Sequence, residues 1–488
     1  MAVNVLLITL DQFRGDCLSA AGHSVVRTPY LDRLAAGGVR FARHYSQAAP
    51  CGPGRASLYT GMYQMNHRVV ANGTPLDARF DNIALAARRA GYRPALFGYT
   101  DQAVDPRVTT GPDDPRLSTY EGILPGFDAV LELRGDQLPW LAWLDERGHE
   151  TSAGGEGLLA TESERPAEHS LATFLTDRFV EWLEVQDAPW FAHLSYWRPH
   201  PPYAAAGHWA TAYAPDDVDL PIEPAADRHP FHEAALRHPD AAAPAGEAAV
   251  RTMRAQYYGM VSEVDDQLGR VWEALARTGH FDDTVIVVTA DHGEMLGDHG
   301  LREKLGYWEQ SYHIPGIVRD PRHPAGHGIV VESFTENVDV MPTLCSAIGV
   351  AVPVQCDGFP LDPFLRHEAP VRWREAAHWE YDWRSESIAT APHEWPWDRG
   401  LERRHLAVHR DDRRAYVQFG NGSWRCFDLA ADPTWRTEVH DADVVLPLAQ
   451  AMLTWRSGHA DRVLADLVIG ADGGGRWPPL PAGWGAAH

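Results

Sequence analysis

Short apolar runs recur along the chain, bounded by polar and turn-forming residues: Val5–Leu10, Arg93–Tyr99, Trp190–Tyr196, Thr284–Ala290 and Ile314–Arg319. Runs of this length without polar alternation predict strands covered on both faces of a sheet. Helical periodicity alternates with them. Pro29–Ala36 follows a capping signal at Thr28, Asn82–Ala90 ends at Gly91, and a long amphipathic stretch, Ala248–Arg277, stops before Gly279. This alternation predicts an α/β protein, a mostly parallel sheet with helices on both sides. Pro199–Gly246 breaks the rhythm: it is rich in Pro, Ala, His and Asp and predicts long loops over the sheet edge, a common seat of function. Beyond Val371 the runs shorten (Leu406–His409, Ala415–Phe419, Trp424–Leu429), and a helical stretch follows near Asp443–Ser457. That change predicts a smaller antiparallel sheet plus helix. The expected organisation is a catalytic α/β domain over residues 1–370, a smaller C-terminal α+β domain over 371–469, and an extended arm over 470–488.

Composition narrows the function classes. The 488 residues exceed one small core, and 44% apolar with 23% charged residues is ordinary for a soluble globular protein. With 43 basic against 67 acidic side chains the formal net charge is -24, which argues against a nucleic-acid partner, since that needs a basic face. An anionic substrate stays open, because a few local cations reverse the field inside one cleft. No stretch approaches the roughly 18 apolar residues of a membrane span, and Met1–Leu10 reads as a buried first strand rather than a signal peptide. The five cysteines are scattered, odd in number and without metal-knuckle spacing. Reduced thiols in a cytoplasmic protein are expected.

Two of the predicted strands end in acids. Val5–Leu10 runs into Asp11-Gln12, and the run through Ala290 continues into Asp291-His292. Ligands of open α/β sheets bind beyond the carboxyl ends of strands, so Asp11, Asp291 and His292 are candidate ligands of one cation. Carboxylates with one imidazole suit Mn²⁺, Mg²⁺ or Zn²⁺, and the imidazole tilts the choice away from Ca²⁺. Either acid alone reads equally well as a turn cap.

The stretch Cys51-Gly52-Pro53-Gly54-Arg55, followed by Thr60-Gly61, resembles the sulfatase signature C-x-P-x-R with its downstream Thr-Gly. The resemblance implies the alkaline-phosphatase-like fold, a large mixed sheet flanked by helices. It also implies that an accessory formylglycine-generating enzyme oxidises Cys51 to formylglycine. The hydrated aldehyde then carries two hydroxyls: one attacks sulfur or phosphorus beside the cation, and deprotonation of the other expels the product. On the same resemblance Cys51 joins the metal ligands, Arg55 orients the nucleophile, and Lys304, thirteen residues after Asp291, contacts the ester oxygens.

Many sulfatases carry a pair of acids after the first strand and Asp-Asn after the later one. Asp11-Gln12 and Asp291-His292 depart from that, and the pattern resembles the phosphonate monoester hydrolase and phosphodiesterase branch, with a site compatible with Mn²⁺. Asn72, Tyr99 and His200 resemble pocket residues of that branch, His200 as a general acid or charge stabiliser. The branch also has a pocket threonine shortly after the tyrosine, a place for which Thr100 is the candidate. Trp197 and Trp209 are candidate pocket walls. Read without the family, Asn72-Gly73 is a turn pair, His200 a rigid loop residue, Lys304 a solvated charge and Tyr99 packing. The expected substrate is a small phosphonate, phosphodiester or sulfate ester. An arylsulfatase or small alkyl sulfatase is the alternative, and a binding relative whose Cys51 stays a thiol is the reading of another class. A homo-oligomer exchanging the arm from Gly470 is also expected.

Overall fold

The computed structural model describes residues 3–187, 189–384 and 403–465, with the short pair Val468–Ile469 and Gly475–Arg476. In chain order the strands are β1 (Asn4–Leu10), β2 (Val39–Tyr45), β3 (Ala48–Ala49), β4 (Ala95–Gly98), β5 (Asp128–Glu132), β6 (Phe191–Tyr196), β7 (Thr284–Thr289), β8 (Gly316–Arg319), β9 (Ile329–Glu336), β10 (Ala376–Asp382), β11 (His405–Asp411), β12 (Arg414–Phe419) and β13 (Trp424–Asp428). Eight of them form one sheet in the order β5-β4-β6-β1-β7-β8-β2-β9. β8 alone runs against its neighbours β7 and β2; every other pair in this sheet is parallel. This is the mixed, mostly parallel sheet expected. The five apolar runs all became strands, and the patterns at Pro29–Ala36, Asn82–Ala90 and Ala248–Arg277 became helices, each within a residue or two of the expected bounds.

Strand β1 shows why the sheet is covered twice. All seven of its residues are buried. Leu6, Ile8 and Leu10 pack in a cluster with Val261, Val264 and Leu268 of the helix Glu247–Arg277. Val5 and Leu7, on the alternate face, pack with Ala56 and Leu58 of the helix Cys51–Thr60 and with Ile83. Each such side chain, fully withdrawn from water, contributes about 1.5–3 kcal/mol. Because β1, β4, β6 and β7 are parallel, their carboxyl ends open on the same edge, and the loops leaving them meet there.

The second sheet has the order β13-β12-β11-β10-β3, antiparallel except where β10 runs parallel to β3. β3 comes from the N-terminal part of the chain and lies just before Cys51. A third cluster, with Tyr45, Ala49, Trp308, Tyr312, Trp379 and Val408, joins the two sheets. The helix Ala442–Ala465 follows the last strand. Apart from Gly475–Arg476, which pairs with Val468–Ile469, the arm expected from Gly470 lies outside the described residues. No helix among the described residues is long and apolar enough to cross a membrane.

The capping signal at Thr28 works differently from expectation. Helix Pro29–Ala36 receives no side-chain cap from Thr28, whose hydroxyl instead engages Ser19 and Asp32. The free N–H groups of Tyr30 and Leu31 donate to the carboxylate of Asp265 at 3.1 and 2.7 Å, so the long helix caps the short one from across the core. Replacing Asp265 by Ala leaves the partly buried Tyr30 N–H and the buried Leu31 N–H unpaired. A loss of about 1–3 kcal/mol in unfolding free energy is expected from urea titration; an unchanged midpoint would show that the cap contributes nothing.

Candidate active site

Cys51 is the first residue of the helix Cys51–Thr60 and is buried. The helix packs directly on the end of β7: a Cβ at Gly54 would stand 2.5 Å from the carbonyl oxygen of Asp291, so only glycine allows this approach. Asn72 Oδ1 accepts from Gly52 N at 2.8 Å and Gln102 Nε2 donates to Gly52 O at 2.9 Å, fixing the first turn from both sides. His292 Nε2 lies 3.2 Å from Cys51 Sγ and 3.8 Å from a carboxylate oxygen of each of Asp11 and Asp291. One ligand atom from each of Asp11, Cys51, Asp291 and His292 falls within 4.8 Å of the others, all four residues being buried.

Arg55, one turn along the same helix, joins this cluster from behind. Its Nε donates to Asp291 Oδ2 at 2.8 Å and its Nη2 to Asp11 Oδ2 at 3.2 Å. Nη1 donates to Ser195 Oγ at 2.8 Å and to Tyr99 O at 3.2 Å, and the guanidinium stacks over the Tyr99 ring at 4.1 Å. Tyr99 in turn donates its hydroxyl to Asp11 Oδ2. Asp11 Oδ1 remains buried without a hydrogen-bond partner. Burial and the neighbouring Asp291 push the Asp11 carboxyl above its ordinary range. Burial acts on Asp291 too, but His292 and Arg55 outweigh it and hold that carboxyl at about 2. Two buried carboxylates, one with an unpartnered oxygen, and an imidazole nitrogen gathered round one point fit a single dication.

On the other side of Cys51 stands Lys304. Its Nζ donates to Gln12 Oε1 at 2.7 Å and to His200 Nε2 at 2.9 Å, and pairs with Glu303 at 3.1 Å. Burial opposes its charge, yet Cys51, Glu303 and Asp11 outweigh burial and hold its proton above the usual range. His200 Nδ1 faces the Pro201 carbonyl at 2.7 Å, so that nitrogen carries the hydrogen and Nε2 accepts from Lys304. Burial and Lys304 bring His200 down to about 3. The loop that bears His200 is built on Arg198, which is fully buried. Arg198 Nη1 donates to the carbonyls of His200 and Pro202, each at 2.8 Å, and the guanidinium pairs with Glu162.

Asp11, Cys51, Asn72, Tyr99, His200 and Lys304 all line one cleft of about 590 Å³, and Arg55, Asp291 and His292 stand behind its floor. The two tryptophans divide: Trp197 lines the cleft, whereas Trp209 packs on the core. Thr100 turns away, its hydroxyl donating to Gly122 O and accepting from Leu124 N, each at 2.8 Å. The residue that enters the cleft after Tyr99 is Asp101, which the sequence reading missed. An acid just beyond the end of β4 is the same kind of signal that pointed to Asp11. Glu294 and Glu303, which accept from the Gln12 carboxamide, were also missed; Glu294 directly follows Asp291-His292-Gly293.

Residues 3–350 match the family model described as Sulfatase, and residues 297–455 match that of N-sulphoglucosamine sulphohydrolase, C-terminal. The multifunctional alkaline phosphatase superfamily protein PehA of Trinickia caryophylli is 37% identical, over 94% of this chain and 96% of PehA. The phosphonate monoester hydrolase of Agrobacterium radiobacter is similar in structure, with a TM-score of 0.89 and 43% identity over 98% of this chain and 100% of that one. The phosphonate monoester hydrolase SpPMH from Silicibacter pomeroyi gives 0.84 and 38%, over 98% and 99%.

The Arg55 fork predicts a large stability effect. In chelator-treated protein, Arg55→Met leaves Asp11 and Asp291 facing each other without their shared cation. A loss of about 3–5 kcal/mol is expected in urea unfolding; a loss below about 1 kcal/mol would place it with exposed ion pairs instead.

Proposed function

The chain belongs to the sulfatase family, and we propose that within it this protein hydrolyses phosphonate monoesters and phosphodiesters, with sulfate esters as secondary substrates. The observation that carries this reading is the donor set on residue 51: His292 stands with Asp11 and Asp291, its Nε2 3.2 Å from Cys51 Sγ. An imidazole in that shell suits Mn²⁺ better than Ca²⁺. The similarity at 43% and 38% identity to two phosphonate monoester hydrolases supports the same assignment.

Asp11, Asp291, His292 and the modified residue 51 would hold the dication, which when bound supplies positive charge to the phosphoryl oxygens and acidifies a hydroxyl beside it. Cys51 is the precursor of the nucleophile: oxidation to formylglycine by a maturation enzyme puts a hydrated aldehyde where Sγ stands. The chain's other residues position and protonate. Asn72 and Gln102 keep the first turn of the Cys51 helix fixed, with its N–H end towards the incoming anion. Arg55 and the Tyr99 hydroxyl hold the carboxylates in place. Lys304 keeps its proton at Nζ, oriented by Gln12 and His200, and offers positive charge to the oxygen that departs.

Aryl esters sharing one leaving group test the assignment. The kcat/KM for a phosphonate monoester and for a phosphodiester is expected to exceed that for the sulfate by at least about tenfold, or about 1.4 kcal/mol of transition-state binding. A preference of orders of magnitude for sulfate would make the protein an arylsulfatase.

A further inference from the structure

The cleft that surrounds this anion-cleaving centre is itself acidic. Asp101 lines it with 6% of its surface exposed, and among the described residues its carboxylate makes no hydrogen bond or ion pair. Its backbone is held in the left-handed region, φ 52°, which presents the side chain to the cleft beside residue 51. Glu121, Glu156 and Asp240 add three more carboxylates to the same walls, with Trp197 and the half-exposed Tyr120 between them. Glu121 accepts one backbone bond, from Gly135 N at 2.9 Å. Arg302 and Lys304 stand on the same walls and Arg55 acts on Asp101 from behind, yet among the described residues no cation pairs with the Asp101 carboxylate, whose charge burial disfavours. Among the described residues, the only group of three or more metal-type ligands close enough to share an ion is the one at Cys51, so no three of these acids converge on one point. Carboxylates spread over aromatic walls suit an organic ammonium group, held by charge and by ring faces.

We propose that Asp101, supported by Glu121, Glu156 and Asp240, binds an ammonium group on the retained organic substituent of the substrate, so that the preferred esters are zwitterionic aminoalkyl phosphonates or phosphodiesters. The inference rests on the phosphorus-ester reading above. The retained substituent is the one concerned, because the backbone of Asp101 stands beside Gly52, the residue after Cys51, whereas Lys304 and His200, joined at 2.9 Å, form the wall assigned above to the departing oxygen. In-line displacement sends the leaving group away from residue 51 and leaves the other substituent directed at a side wall.

The experiment compares two p-nitrophenyl monoesters, of 2-(trimethylammonio)ethylphosphonic acid and of its neutral isostere 3,3-dimethylbutylphosphonic acid. In the metal-loaded wild-type protein the cationic ester is expected to have the higher kcat/KM by at least about tenfold. Asp101→Asn, which keeps a residue tolerant of the left-handed backbone, is expected to bring the ratio near one, whatever happens to absolute rates. Glu121→Gln should lower the ratio by a smaller factor. A wild-type ratio near or below one would overturn the proposal without any variant, and so would a ratio that survives Asp101→Asn. If neither ester turned over while p-nitrophenyl sulfate did, the phosphorus-ester reading would fail separately. The subsite is then judged by inhibition of sulfate hydrolysis with the two free phosphonic acids. At least about tenfold tighter inhibition by the cationic acid, lost in Asp101→Asn, supports it; equal inhibition overturns it.

Discussion

The buried guanidinium of Arg55 is the contact on which the site depends. Its surface is wholly withdrawn from water, and it bonds to the ends of β1 and β7 through Asp11 and Asp291, to β6 through Ser195 and to the turn after β4 through Tyr99. Four parallel strands can deliver residues to one edge, but delivery alone does not fix two like charges side by side in a low-dielectric interior. A planar fork with donors in several directions does so, and a lysine would not. Since Arg55 and Cys51 share one helix, the residue that holds the carboxylates also sets their distance from Cys51.

The two sheets act on that helix from opposite sides. β3, paired with β10, anchors the chain just before Cys51. The large sheet, through Gly54 packed on the Asp291 carbonyl, fixes the turn that follows. The second sheet thus reaches the catalytic region through one short strand and a shared aromatic cluster of Tyr45, Tyr312 and Trp379. Around this rigid floor the walls come from the loops after β4, β5, β6 and β7, and the loop after β6 owes its shape to Arg198, whose donors are spent on backbone carbonyls and Glu162. Floor and walls also differ in charge: Arg55 lies behind the floor, while the walls carry Asp101, Glu121, Glu156 and Asp240 with Arg302 and Lys304 as their cations.

Much of this was legible in the sequence where the pattern was local. Val5–Leu10 and Thr284–Ala290 announced buried strands by apolar runs, and the acids after them stood at the edge where ligands bind. The run from Cys51 to Arg55 carries its chemistry in fixed spacing. Among the strands that escaped, β3 has only two residues, and β2, β5, β9 and β10 mix charged and apolar positions: Arg40 and Arg43 in β2, Glu332 and Glu336 in β9, His378 and Glu380 in β10. Their identity as strands comes from partners far away in the chain. Asp101 escaped because an acid after Tyr99-Thr100 reads as a turn residue. Only the packing of the loop buries it and turns Thr100 aside. Asp265 capping a helix 235 residues earlier is of the same kind, a contact that no local window contains.

In the function proposed, residue 51 acts as an oxidised, hydrated side chain inside the Asp11–Asp291–His292 cluster. Intact-mass analysis of the peptide spanning Cys51, from protein made alongside a formylglycine-generating enzyme, tests it most directly. A peptide that has lost one sulfur and two hydrogens and gained one oxygen, and that forms a hydrazone with an aldehyde reagent, is the expected result. A fully active protein whose peptide keeps the mass of an unmodified cysteine would contradict it.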